Sequence, residues 1–243
     1  ALSSVDFDKF RRDEIIMASP DTNTLILAGE RPRGTLYAVY ELLENHFKVR
    51  FYSADNEVVP AQSDKISLTP NRRYAPQFVY RELHGEPCRE NTMIAKWKLN
   101  GSMFRKKIPI EQGGYYQMDM THSLAARYVN PKKWFESKPE WFAFRKKENV
   151  RVPRQLCLSN SEVLGQLVKD VLTEQATMPE RTYIGIGMSD NAAFCECGKC
   201  IEMNKRHASN GTGIWMACNA VAKALQKDYP HAQVVGMAYW VGE

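Results

Sequence analysis

Near-continuous apolar strands alternate with amphipathic helices in this 243-residue chain after about residue 76. Strands that are apolar on both faces belong to parallel sheets covered by helices, so the alternation predicts an α/β fold. A closed (β/α)8 barrel needs eight strands. We therefore expect residues 72–243 to form a TIM-type barrel that is cut short after about five strands. The predicted strands cover residues 77–83, 101–104, 115–120, 182–188 and 233–240.

Helices are predicted between these strands. The first lies at residues 92–97. The second follows a capping box, in which Ser159 caps the helix and Glu162 reaches back to it. The third covers residues 214–227 and ends before Pro230, because the residue that precedes a proline disfavours helical backbone.

The first 65 residues read as a separate small α/β domain. A β-rich run at 24–29 is followed by apolar residues at helical spacing over 36–47 and by a second strand at 49–52. The polar segment 60–71, bracketed by prolines, marks the expected boundary before the barrel.

Composition and charge restrict the class of protein. The hydrophobic fraction of 44% and the charged fraction of 25% are typical of soluble globular proteins, and no apolar run approaches the roughly 18 residues of a membrane-spanning helix. The net charge is +5, and the lysines and arginines are scattered along the chain. The basic triplets at 105–107 and 145–147 are too short to indicate a nucleic-acid groove. We predict no organic cofactor, and the oligomeric state stays open. The chain does not begin with a signal peptide; if one has been removed, a periplasmic or extracellular location is favoured.

Polar and aromatic side chains follow the predicted strands at the ends where barrel enzymes place their sites. Asp190 is the leading catalytic candidate, because packing alone would not select a carboxylate at the end of so apolar a strand. The alternative is that Asp190 caps the following loop through backbone amides. The predicted substrate ligands are Arg81, His84, His122, Asn191, Tyr239 and Trp240.

A C-x-C-x-x-C pattern follows Asp190 and contains half of the six cysteines, Cys195, Cys197 and Cys200. Thiolates at this spacing suit a soft cation such as Zn²⁺, and a closed structural zinc site takes four ligands. Cys157 is the expected fourth ligand, and His207 and Cys218 are the alternatives. A disulfide and a set of free thiols stay open as other interpretations. In the metal interpretation the cysteines clamp the loop that carries Asp190.

Several stretches resemble carbohydrate-active proteins. Residues 23–43, followed by Val-Arg-Phe-Tyr at 49–52, resemble the small α/β domain that precedes the barrel in family 20 hexosaminidases and α-glucuronidases. The rest of the chain is similar to the bacterial family named domain of unknown function 4838. The matching stretches are Pro-Glu-Trp-Phe at 139–142, Gln-Leu-Cys-Leu-Ser-Asn at 155–160, Ser-Asp-Asn at 189–191 with the cysteine pattern, and Ala-Tyr at 238–239.

The resemblance implies a glycoside-hydrolase-like barrel. In family 20 enzymes the fourth strand ends in an Asp-Glu pair, whose Asp orients the acetamido group of the substrate and whose Glu is the general acid. Asp190 matches the first position, whereas Asn191 replaces the acid, and an amide cannot protonate a leaving oxygen. The acid would then come from Glu82, Glu86 or a later strand. His122 falls where the family has a substrate-binding histidine on its third strand.

Two functions follow from these observations. The first is hydrolysis of glycosidic bonds in a glycan that contains amino sugars or uronic acids. The second is carbohydrate binding without catalysis on a degenerate glycosidase fold, which the replacement of the acid by Asn191 favours. The chain by itself would be inactive in either case if half of the barrel is missing.

Overall fold

A computed structural model describes residues 6–61, 68, 70–101, 108–114, 122–179 and 181–237. The chain divides into two compact units, Ala1–Gln117 and Met118–Glu243. The boundary predicted within residues 60–71 falls inside the first unit, and the assignment of 1–65 and 72–243 to two domains stays a prediction.

The first unit is built on a three-stranded antiparallel sheet in the order β2-β1-β5. Helix α1 packs against the sheet, and the core between them contains Ile15, Met17, Tyr37, Ala38 and Leu42. The predicted elements at 24–29, 36–47 and 49–52 are confirmed as β2, α1 and β3, whereas β1 and β5 were not predicted. The elements are β1 (Ile15–Asp21), β2 (Thr24–Gly29), α1 (Gly34–Asn45), β3 (Arg50–Ser53), β4 (Asn56–Val58), β5 (Asn71–Tyr74) and α2 (Asn91–Lys96).

The prediction of a strand at residues 77–83 is wrong. These residues are all described, and none of them is in a strand. The backbone N–H of Arg81 donates to the side-chain oxygen of Asn100 at 2.8 Å, and the Arg81 carbonyl accepts from the Asn100 N–H at 3.1 Å. These bonds replace the ladder of a sheet, and the apolar side chain of Phe78 is left 73% exposed. Of the next two predicted strands, residues 102–104 and 115–120 lie outside the described residues.

The second unit contains a parallel strand pair with helices between its strands. β8 pairs with β9 from Tyr183↔Gln233 to Ile186↔Gly236, and α4 packs against α6. An antiparallel hairpin, β6-β7, precedes them. The elements are α3 (Pro131–Trp134), β6 (Phe142–Arg145), β7 (Val150–Leu156), α4 (Ser161–Thr177), β8 (Tyr183–Ile186), α5 (Gly198–His207), α6 (Thr212–Asp228) and β9 (Gln233–Gly236).

The core of this unit joins the two predicted helices to the parallel strands. Its fully buried members include Val163, Leu167, Ile184, Ile186, Ile214, Val221 and Leu225. The capping prediction is wrong by one residue, since Asn160 caps α4 by accepting from the Glu162 N–H at 2.9 Å. The hydroxyl of Ser159 points instead to cysteine sulfurs.

The described residues confirm mixed α/β architecture, with small antiparallel sheets and one parallel pair, and they form no closed barrel. In the same part of the chain, no helix has the length and apolar character required to cross a bilayer.

Candidate functional site

The carboxyl end of β8 is held by a buried serine. The hydroxyl of Ser123 donates to the carbonyl of Gly185 at 2.8 Å and accepts from the N–H of Gly187 at 2.9 Å. The next residue, Leu124, donates its N–H to the Gly187 carbonyl at 3.0 Å. These bonds attach the segment that begins at His122 to the end of β8, and sequence reasoning did not identify Ser123.

His122 and Asp190 lie beside each other at this strand end. His122 Nδ1 is 2.7 Å from the carbonyl of Met188, and since a carbonyl only accepts, Nδ1 carries the proton. His122 Nε2 is then directed at Asp190, 3.9 Å from Oδ2. The two side chains are 35% and 61% exposed, so both reach solvent. The structure thus brings together two of the predicted site residues, which are far apart in the sequence.

Gln155 fixes the backbone on both sides of Asp190. Its side-chain N–H₂ donates to the carbonyls of Ser189 at 2.7 Å and Asn191 at 2.8 Å. Its side-chain oxygen accepts from the Ser189 N–H at 3.1 Å. Gln155 is 2% exposed, and a buried amide is stable only when its donors and acceptor are bonded in this way. Gln155 follows Arg151, Pro153 and Arg154 on the same strand, so the sequence carries no signal that distinguishes it.

Asn191 has a structural use that explains why an amide stands there. Its side-chain oxygen accepts from the N–H of Ala193 at 3.0 Å, and its N–H₂ donates to the carbonyl of Arg154 at 3.3 Å. A glutamate could not make the second bond, because an ionised carboxylate has no donor. A role for Asn191 in substrate binding stays a prediction.

The C-x-C-x-x-C pattern and Cys157 form one cluster. The four sulfur atoms all lie within 4.8 Å of one another. Cys157 Sγ is 3.7 Å from Cys197 Sγ and 3.9 Å from Cys200 Sγ, well beyond the roughly 2.05 Å of a disulfide bond. All six cysteines of the chain are described, and all are free. Cys157 is therefore the fourth member of a group that could hold a metal ion, whereas His207 and Cys218 are outside it.

The thiols of the cluster cannot all ionise without a counter-charge. Hydrogen bonds from Cys195 and Cys200 lower the pKa of Cys157 far below its usual range. The bond to Cys157 raises the pKa of Cys195 to about 11, and bonds to Cys157 and Cys195 raise that of Cys200 further. One thiolate thus forms at the expense of its neighbours, and a divalent cation is what would stabilise all four.

Polar groups around the sulfurs complete the site. The Ser159 hydroxyl donates to or accepts from three sulfurs, at 3.1 Å from Cys200, 3.5 Å from Cys157 and 3.8 Å from Cys197. The N–H of Phe144 donates to Cys195 Sγ at 3.3 Å. Such outer contacts orient metal ligands and adjust their basicity.

A solvent-accessible cavity of about 610 Å³ adjoins the cluster. Cys157 and Cys197 line it together with Ser159, Arg151 and Lys199. An ion or a chelator can therefore reach the sulfurs from solvent.

Arg81 is fully engaged within the first unit. Its Nη2 donates to Asp13 at 2.7 Å, its Nε to the Lys98 carbonyl at 2.9 Å and its Nη1 to the Phe78 carbonyl at 2.8 Å. The same carboxylate of Asp13 is bonded to Arg33 at 2.7 Å. The residue predicted as a substrate ligand thus takes part in a buried ionic cluster, and its role toward a substrate stays a prediction.

His84 and the two candidate acids also lie in the first unit. His84 Nε2 is 2.7 Å from Glu82 Oε1, and the other oxygen of Glu82 accepts from the hydroxyl of Tyr80. Glu86 is paired with Arg89 at 2.6 Å. The last two predicted ligands, Tyr239 and Trp240, lie outside the described residues.

Comparison with known proteins identifies the family. The profile of the family described as Domain of unknown function (DUF4838) matches residues 51–243, which is well over half of the chain and includes the whole second unit. No curated protein and no solved structure matches the chain.

Proposed function

Since this chain belongs to the DUF4838 family, we propose that it is a glycoside-hydrolase-like protein that acts on a glycan of amino sugars or uronic acids. The observation that supports the proposal is the pairing of Asp190 with His122, 3.9 Å apart and solvent-accessible at the end of β8. Sites in parallel α/β folds lie at this end of the strands. The β8-β9 pair would then be two neighbouring strands of a TIM-type barrel.

In the proposed chemistry, a carboxylate stabilises the charge that develops on the sugar, and a separate general acid protonates the leaving oxygen. The Asp190 carboxylate accepts hydrogen bonds from the sugar and stabilises positive charge at the anomeric carbon as the glycosidic bond breaks. His122, whose Nδ1–H donates to a carbonyl, accepts from a sugar hydroxyl at Nε2 when the ring is neutral and donates from Nε2 to the carboxylate when it is an imidazolium. The acid that protonates the leaving oxygen is a residue other than Asp190 and Asn191.

Carbohydrate binding without hydrolysis is the second candidate function. Both polar groups of the Asn191 side chain make hydrogen bonds that hold the loop. Residue 191, where the general acid would stand, therefore has a structural role instead. The Asp190-His122 pair would then be a binding surface.

The metal that best fits the four cysteines is Zn²⁺. Four thiolates form a closed structural site for zinc, with no position left open for catalysis. Elemental analysis of protein purified without chelator is expected to find about one zinc per chain. Well under one equivalent, after purification in the presence of zinc, would contradict this assignment.

A glycan panel tests the carbohydrate proposal on the zinc-loaded protein. Hydrolysis or binding of at least one glycan is expected, and Asp190→Asn should lower the rate of hydrolysis by about 100-fold or more. The matched control is Asp228→Asn, which removes an exposed carboxylate at the end of α6 in the same unit and should leave activity unchanged. Binding that depends on Asp190 without hydrolysis would support the second candidate. An absence of both binding and hydrolysis, or an Asp190→Asn variant with full activity, would overturn the proposal.

A further inference from the structure

We infer that the four-cysteine centre is a positioning device for Asp190: a bound metal fixes the loop 187–197, and loss of the metal releases Asp190 from its place beside His122. The inference deepens the proposed function and rests on it for its effect on carbohydrate, while the coupling between metal and loop stands on geometry alone.

The loop that connects β8 to α5 contains both features. Residues 187–197 have no regular secondary structure, and Asp190, Cys195 and Cys197 all lie on this segment. Since irregular backbone is ordered only by the contacts that its own groups make, the contacts of this loop decide where Asp190 stands.

Those contacts are concentrated at two points. Near Asp190, the three hydrogen bonds of Gln155 hold the backbone at Ser189 and Asn191. At the other end, the N–H of Glu196 donates to the carbonyl of Phe144 at 2.8 Å, and the cysteine sulfurs meet their partners.

Both points attach the loop to the β6-β7 hairpin, and Phe144 belongs to β6. Gln155 belongs to β7, and Cys157 follows directly after its last residue. A metal shared by Cys157, Cys195, Cys197 and Cys200 therefore ties the loop to the end of β7 and to the first turn of α5. The register between β7 and the loop is what allows Gln155 to reach its three partners.

Without the metal, the cysteine end of the loop keeps its hydrogen bonds to β6, such as those between Glu196 and Phe144 and between Arg145 and Phe194, but its link to Cys157 after β7 becomes weak. Sulfur atoms 3.7 to 3.9 Å apart make poor hydrogen bonds, and the adjoining cavity gives water access to them. The cysteine end is then no longer tied to the end of β7, and the bonds of Gln155 and the Asp190-His122 contact lose that support.

Hydrogen exchange of the whole chain tests the coupling without any sugar. Over labelling times of seconds to minutes, removal of zinc by a chelator should speed exchange in peptides covering 187–197 by at least tenfold. Peptides covering the buried centre of α4 should change little, and added zinc should restore protection. Equal protection of the loop with and without zinc would overturn the inference.

Three variants distinguish loss of the metal from general damage to the fold. Cys195→Ser removes one ligand and should reproduce the effect of the chelator, while Cys218→Ser alters a buried cysteine outside the cluster and should not. Gln155→Glu keeps the metal ligands but removes the donors to Ser189 and Asn191, so exchange should rise around Asp190 with zinc still bound. If exchange at 195–197 also rose fully while zinc stayed bound, the metal would not be the element that holds the loop.

Glycan affinity and turnover provide the functional readout. Zinc removal should weaken binding or slow hydrolysis at least tenfold, reversibly. If the zinc-loaded protein binds no glycan, the proposed function fails, but the exchange experiment still decides whether metal and loop are coupled. If loaded and zinc-free proteins act on a glycan equally, the proposed function stands and the inference is overturned.

Discussion

Each unit of the molecule buries a cluster of polar side chains, and the two clusters differ in how they are completed. In the first unit, the carboxylate of Asp13 is bonded to Arg33, Arg81 and Asn100. In the second, four cysteine sulfurs and the hydroxyl of Ser159 face one another. The first cluster contains two arginine cations for one carboxylate, whereas the second has four thiols and a nearby cation, Arg151, whose Nη1 is 3.8 Å from Cys195 Sγ.

This difference has a physical consequence. A buried carboxylate is tolerated when paired charges and hydrogen bonds replace its water, so folding of the chain alone completes the Asp13 cluster. Four clustered thiols gain little from one another, and their strongest stabilisation comes from an ion that the sequence does not encode. The first unit should therefore be indifferent to metal and sensitive to a lost charge, and the second should be the reverse.

The largest effect is expected for Asp13→Ala. The substitution leaves Arg33, whose side chain is 6% exposed, buried without its carboxylate, and such a loss lowers the free energy of unfolding by roughly 3–5 kcal/mol. Asp55→Ala, in the exposed turn between β3 and β4, is the matched control with little expected change. Denaturant unfolding, monitored by hydrogen exchange at β1, measures the free energy of unfolding of both variants. A similar loss in the two variants would contradict the expected sensitivity of the first unit to a lost buried charge.

Zinc removal should have the next largest effect, and only on the second unit. A ligand that binds the folded state alone contributes about 2.7 kcal/mol when its free concentration is a hundred times Kd. Thermal unfolding with and without a chelator, resolved by exchange in α4 and in β1, should show the loss in α4 alone. An equal loss in β1 would contradict the independence of the two clusters.

Ser159→Ala should weaken zinc binding by about tenfold, which corresponds to roughly 1.4 kcal/mol, because outer contacts of this kind orient the ligands. Ser161→Ala, at the exposed start of α4, is the control. Competition with a chromophoric chelator measures the affinity. An unchanged affinity in Ser159→Ala would show that its three sulfur contacts are incidental.

The smallest effect concerns pH. The hydrogen bond from Arg73 lowers the pKa of Glu14 below its ordinary value of 4.5. The bond therefore stabilises the first unit above about pH 4.5, and the contribution is lost as the pH falls through the lowered pKa. Arg73→Gln should reduce this acid-dependent loss of stability, and unfolding midpoints between neutral and acidic pH measure it. If the unfolding midpoints of the wild type and of Arg73→Gln depended on pH in the same way, the Arg73-Glu14 bond would make no contribution to stability.

The predictions from sequence were most accurate where the signal is local. The apolar spacing of α1 and α6 and the β-rich run of β2 are properties of neighbouring residues, and the structure places these elements within two residues of the prediction. The run at 77–83 has equally good strand composition, yet its backbone pairs with Asn100 instead. Strand formation needs a partner strand, which composition does not reveal.

The candidate site shows the same division. The cysteine spacing and Cys157 were identified from sequence, and Asp190 was singled out by its position after an apolar run. Gln155 and Ser123 were not identified, and Ser159 was predicted to be a helix cap, because the residues around a polar side chain do not indicate its distant partner. Only the fold brings Gln155 to the backbone around Asp190.

The sequence by itself determined the family, the principal helices, the parallel pair and the three clustered cysteines, since each depends on the pattern along the chain. The tertiary structure decided that Cys157 joins cysteines about forty residues away, that Arg81 pairs with Asp13, and that Asn191 holds its own loop. Each of these is a choice among possible partners for a buried polar group. That choice depends on which distant groups the folded backbone brings within hydrogen-bonding distance.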